Sequence, residues 1–179
     1  MAYDPLKELM LKKAVTIEDN RIKLFHTINY TLYPARALAV VLQLLGEKGG
    51  KKYLFELGKT MASDAIDEIY EYFQKVGKFI PDRIKALQPI LEISGFAKFD
   101  KIEFYKGKII LKLSSHPVID FSVELFGKNS VVCEFYRAVF SAFCQKLLKF
   151  KKCELNESKC ISKGDPYCEW VFGKNGKLQ

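Results

Sequence analysis

Arginine is scarce in this chain. Only four of the 29 basic residues are arginine, at 21, 36, 83 and 137, although the net charge is +8. Base-edge recognition in DNA leans on bidentate guanidinium contacts, whereas lysine acts on phosphate mainly as a point charge. The lysines are also spread along the whole chain, so a solvated lysine-rich surface is expected and direct nucleic-acid binding is not. Long apolar runs are missing too: the longest aliphatic stretch, Ala37 to Leu42, is far too short to cross a bilayer. The N-terminus, Met1-Ala2-Tyr3-Asp4-Pro5, has neither the basic nor the apolar part of a secretory signal, and a cytoplasmic protein is expected. No Gly-x-Gly-x-x-Gly, His-Glu-x-x-His or triad spacing is present. Catalysis needs a positioned base, nucleophile or open metal position, so an enzyme is not the expected reading. Histidine occurs only at 26 and 116, and both read as surface or capped loop residues rather than ligand contacts.

What is present points to a folded α+β protein. The chain has 179 residues, 49% of them hydrophobic, with 14 Phe and 9 Tyr, which argues against disorder. Asp4 to Lys13 reads as a short amphipathic helix, and 22–25 and 28–32 as strands. Pro34 opens a helix ending near Gly46, and a turn at Gly49-Gly50 leads into a long helix with Leu54, Leu57, Met61, Ala65, Ile69, Phe73 and Val76 at helical spacing. Gly58 and Ala62 on that stripe allow close approach of another helix. A further helix is expected from Pro81 to Gly95. The period then changes to that of a hairpin, 102–105 and 109–113, followed by a loop through His116-Pro117. Ser130 suits the cap of a helix carrying Phe135, Val139, Phe140, Phe143 and Leu147. Two strands, about 152–161 and 167–172, close the chain around Gly164-Asp165-Pro166. The organisation expected is a helix and arm at 1–20, one domain at 21–174 and a tail at 175–179.

All five cysteines fall between 133 and 168. Thiols stay reduced in a cytoplasmic chain, and no Cys-x-x-Cys is present, so disulfide and thioredoxin-type readings are set aside. Cys160 and Cys168 are symmetric about Gly164, which in a hairpin sets them opposite each other on one face. Two sulfurs so placed can share one tetrahedral Zn²⁺. Cys133 sits in the first turn of its helix, where the dipole favours a thiolate. Glu157 is the nearest carboxylate to Cys160, but its odd offset needs a bulge to bring it to the same face. Cys144 and Cys153 read as small buried hydrophobes.

The segment Cys133-Glu134-Phe135-Tyr136-Arg137-Ala138-Val139-Phe140-Ser141-Ala142-Phe143, with Glu157-Ser158-Lys159-Cys160 and Lys163-Gly164-Asp165-Pro166-Tyr167-Cys168-Glu169, resembles the signature of the 4-vinyl-reductase domain family. Pro34-Ala35-Arg36-Ala37-Leu38 and Leu57-Gly58-Lys59 are similar to its first helices. The resemblance implies zinc ligands at Cys133, Glu157, Cys160 and Cys168, which close the coordination sphere and suit a structural metal. It implies a helical N-terminal half packed on an antiparallel sheet, the fold shared with TRAPP subunits and haem nitric-oxide-binding proteins, with a metal-bound C-terminal hairpin and a homodimer.

Family members that sense aromatic pollutants use the domain as a ligand-receiving module. The expectation is therefore a regulatory domain that binds a hydrophobic, aromatic or lipid-like molecule between the long helix, the Cys133 helix and the sheet. Candidate walls are Met61, Phe73, Phe140, Phe143 and Trp170, each of which is equally ordinary core. The alternatives are a dimeric scaffold that docks a partner without ligand, and an accessory protein in tetrapyrrole or aromatic metabolism.

Overall fold

Alternating burial along two strands builds the main sheet. Along Lys108–Ser115 every second side chain from Ile109 to Leu113 is buried, and along Cys168–Gly173 the same holds for Cys168, Trp170 and Phe172. A period of two puts each set on one face, and that face needs cover. The computed structural model describes residues 15–18, 21–24, 28–31, 33–76, 88–89, 91–92, 96–105, 108–147 and 154–173. The helix expected at 4–13, most of that at 81–95, the tail, His26 and Cys153 lie outside the described residues.

Strands β1 (Val15–Glu18), β2 (Arg21–Leu24) and β3 (Ile28–Tyr30) make a three-stranded antiparallel sheet. Helix α1 (Ala35–Val76) follows and breaks its helical geometry at Gly50, at φ +79° and ψ 167°. Glycine adopts that conformation without a Cβ penalty, so the expected Gly49-Gly50 turn is realised as a kink between two helical halves. Then come β4 (Lys98–Tyr105), β5 (Lys108–Ser115), α2 (Pro117–Phe126), α3 (Cys133–Leu147), β6 (Glu154–Lys159) and β7 (Cys168–Gly173). The second sheet is antiparallel throughout, in the order β4-β5-β7-β6. The architecture is α+β, helical first and sheet-rich after, as expected.

Helix α3 covers the apolar face of this sheet. Phe140 packs on Trp170 at 4.9 Å and on Phe99 at 5.7 Å between ring centroids, joining helix to sheet. The second half of α1 lies along α3: a Cβ at Gly58 would stand 2.4 Å from the Phe135 carbonyl oxygen and 3.2 Å from the Ala138 Cβ. The two helices approach there backbone to backbone, as the small residue at 58 suggested.

Helix α2 replaces the loop expected after His116. Pro117 occupies its first turn, and His116 Nδ1 accepts from the Ile119 N–H at 3.4 Å. Asp120 answers by accepting from the His116 N–H at 3.1 Å and the Ser115 hydroxyl at 2.9 Å. This reciprocal bonding serves as a capping box built from residues outside the usual Ser/Thr/Glu set. The run Val118-Ile119-Phe121 also suits a strand, which hid the helix.

Candidate functional site: a three-thiol cluster and a buried histidine

Three elements bring the cysteines together. Cys133 opens α3, where the Ser130 hydroxyl accepts from the Val132 N–H at 3.4 Å. Cys168 opens β7, and Cys160 follows β6 at the mouth of a short 3-10 turn, Ile161–Lys163. The turn is held by Asp165, whose carboxylate accepts from the Cys160 N–H at 2.8 Å, and it closes at Gly164 with φ +98°. The register slips between Glu157 and Lys159, so a bulge lies just before Cys160, where the offset of Glu157 required one.

The sulfurs of Cys133, Cys160 and Cys168 lie within 4.8 Å of one another, and all three residues are buried. Cys160 Sγ is 3.4 Å from Cys133 Sγ. Zn–S bonds of about 2.3 Å in a tetrahedron place sulfurs about 3.8 Å apart, so the donor set fits that ion with little movement. Ser162 Oγ lies 3.0 Å from Cys133 Sγ, either atom able to donate, and the Ile161 N–H donates to Cys168 Sγ at 3.4 Å. The backbone donor favours a thiolate at Cys168. Hydrogen bonding with Cys133 and Cys168 holds the Cys160 thiol below its ordinary value, so the cluster favours a thiolate there. Hydrogen bonding to Cys160 and Cys168, then burial, pushes Cys133 up, so removing all three protons calls for a cation.

Glu157 is not one of the mutually close donors. Its carboxylate accepts from Lys163 Nζ at 2.7 Å and from Trp170 Nε1 at 3.2 Å, with its side chain 9% exposed. Burial raises its pKa, with the Cys160 charge adding and the two donors opposing. Of the expected ligand walls, Phe140 and Trp170 are buried and in mutual contact, and Phe143 is half-buried. Met61 is 55% exposed, and the side chain of Phe73 lies outside the described residues.

His116 is the residue that the sequence undervalued. It is a capped residue, but one only 1% exposed, with its ring 3.8 Å from Tyr136 and 5.2 Å from Phe96 between centroids. Because Nδ1 accepts from Ile119, the neutral ring carries its proton on Nε2, and that atom is buried without a partner among the described residues. Burial lowers the His116 pKa from 6.5 to about 3. The unfolded chain therefore takes up a proton below pH 6.5 that the folded chain refuses until about pH 3. Stability is fully present above that window and falls through it as pH drops, by up to about 1.4 kcal/mol per pH unit. His116→Asn, which keeps a capping side chain and cannot titrate, is expected to flatten that slope in urea denaturation measured from pH 7 to 4.

No protein-family model matches the chain, and no curated protein matches it. Solved structures do. The phenol-responsive sensory domain of the transcription activator PoxR, solved with phenol, is 14% identical with a TM-score of 0.65, over 95% of this chain and 88% of that one. A trafficking protein particle complex subunit 3 from Naegleria fowleri, covalently bound to palmitic acid, is 14% identical with a TM-score of 0.57, over 81% and 98%. An H-NOX protein from S. oneidensis in the Fe(II)NO state is 12% identical with a TM-score of 0.52, over 94% and 87%. At such identities the likeness establishes the α+β fold expected from the sequence. Among the described residues no helix is long and apolar enough to cross a membrane.

Proposed function

We propose that this chain is a small-molecule-binding sensory domain of the 4-vinyl-reductase type, built over residues 21–174, with a structural zinc that pins its closing strands. The observation that carries the ligand reading is the Nε2–H of His116, unpartnered among the described residues. A buried donor left unsatisfied costs about 1–3 kcal/mol, and an oxygen acceptor on a bound molecule removes that cost. Phe96 and Tyr136 give the same spot an aromatic wall, and Phe140 stands 5.1 Å behind Phe96. A cavity of about 350 Å³, lined by Glu92, Ala97, Lys98, Ser115 and Pro117, touches the chain neighbours of His116 and Phe96 and not the His116 ring itself. That volume suits a single-ring molecule. An apolar ring with one oxygen, a phenol or aryl ketone, matches both the wall and the donor. That PoxR and the trafficking subunit hold phenol and palmitic acid on the same fold supports the class of ligand.

The metal reading rests on the three thiols. Zinc bound there would cross-link the start of α3 to β7 and to the turn after β6. Glu157 is proposed as the fourth ligand: each of its oxygens accepts one hydrogen bond and keeps a lone pair for a cation. A homodimer is part of the same proposal, supported by Ala37, Val41 and Leu44, exposed on successive turns of α1, with Val41 at 45% and Leu44 at 50%.

Phenol in hundredfold excess over its dissociation constant is expected to stabilise the fold by about 2.7 kcal/mol, a melting-point rise of roughly 5–11 °C. Toluene, which lacks the acceptor, is expected to bind roughly tenfold or more weakly, and His116→Asn to abolish the difference. Equal binding of phenol and toluene removes His116 from the reading. No shift with any phenol, aryl ketone or fatty acid removes the ligand itself.

A further inference from the structure

The second half of α1 and helix α3 run in the same direction: Phe55 meets Arg137, Gly58 meets Phe135 and Ala138, and Lys146 Nζ reaches the Ser63 carbonyl at 3.0 Å. At the end where both begin lies a cavity of about 270 Å³ lined by Lys51, Lys52, Phe55, Glu134 and Arg137. Neither the three clustered cysteines nor His116 lines it. Three cations face one carboxylate, and that carboxylate is already paired with Arg137 Nη2. Among the described residues neither Lys51 nor Lys52 has an ion pair. Arg137 is fixed from the other side, its guanidinium carbon 5.3 Å from the centre of the Phe55 ring, and its Nε is buried with no acceptor among the described residues. A guanidinium so held has lost its freedom but not its donor capacity. Like charges gathered around a concavity raise the local concentration of a counter-ion, and fixed N–H donors bind oxyanions more strongly than they bind neutral acceptors.

We propose that this cavity binds a small oxyanion of the phosphate class, with Arg137 as the directional donor and Lys51 and Lys52 as flanking charges. The kink at Gly50 places the two lysines, because it starts a fresh helical segment at the rim of the cavity. The site stands independently of the aromatic ligand and of the metal.

Calorimetric titration of inorganic phosphate into the full chain at low ionic strength tests it. One site per chain is expected in the wild type, weakened roughly tenfold or more in Lys51→Ser/Lys52→Ser and in Arg137→Gln. Lys108→Ser/Lys128→Ser removes the same charge from positions that do not line the cavity and is expected to stay within about twofold. Should Arg137→Gln disturb the helix pair, as seen by circular dichroism, the surface double variant carries the test alone. Absence of phosphate binding, binding that survives Lys51→Ser/Lys52→Ser, or equal loss in both double variants overturns the proposal, the last by assigning the effect to the net charge.

Discussion

Replacing Cys168 with serine is expected to strip the protein of its zinc, leaving less than about a tenth of the wild-type content. The three sulfurs are mutually close and buried, so each supplies a ligand that no fourth thiol among the described residues replaces. Loss of even an indirect support of a metal ligand typically costs 10–100-fold in affinity, and loss of a direct sulfur costs more. Free zinc at about a thousand times its dissociation constant stabilises a fold by about 4.1 kcal/mol. In a chain of this size that is roughly 8–16 °C in melting temperature, the drop expected for Cys168→Ser. Chelator is expected to lower the wild type to the same temperature and to leave the variant where it is. Cys144→Ala, buried in α3 but outside the cluster, is expected to keep its zinc. Elemental analysis and a thermal melt read both effects.

Gly58→Val is expected to destabilise the fold by roughly 3 kcal/mol or more. Its Cβ would stand 2.4 Å from a backbone oxygen of α3, a distance that no side-chain rotation relieves. One helix must move away, and the close packing along α1 and α3 is lost with it. Because Cys133 begins the helix that moves, the variant is expected to hold zinc less tightly as well. Denaturant unfolding and zinc competition measure the two consequences separately.

Features that depend on local spacing were legible in the sequence. The helical stripe through Leu54 and Gly58, the alternation in β5 and β7, and the positions of Cys133, Cys160 and Cys168 all rest on fixed periods of the backbone. The bulge before Cys160 was legible too, because an odd offset cannot otherwise bring Glu157 toward the cysteine face. Features set by tertiary contact were not. His116 looked like a loop residue because its helix is capped by an uncommon pair, and its burial comes from Phe96 and Tyr136, which lie 20 residues away on either side. Met61 fits the apolar stripe of α1 yet stands mostly in solvent, since the partner helix covers only the face bearing Leu54, Gly58, Ala62 and Ile66. The pairing of Glu157 with Lys163 and Trp170 likewise depends on a turn conformation that the sequence alone does not specify.

Native mass spectrometry of the full chain, purified without added metal or ligand, tests the account most directly. It reads metal content, subunit number and retained small molecules in one spectrum. The expected result is a dimer of the 20.6 kDa chain carrying one zinc per subunit, with the mass of phenol appearing when phenol is added. A metal-free monomer that takes up no phenol and melts at the same temperature with and without chelator would contradict it.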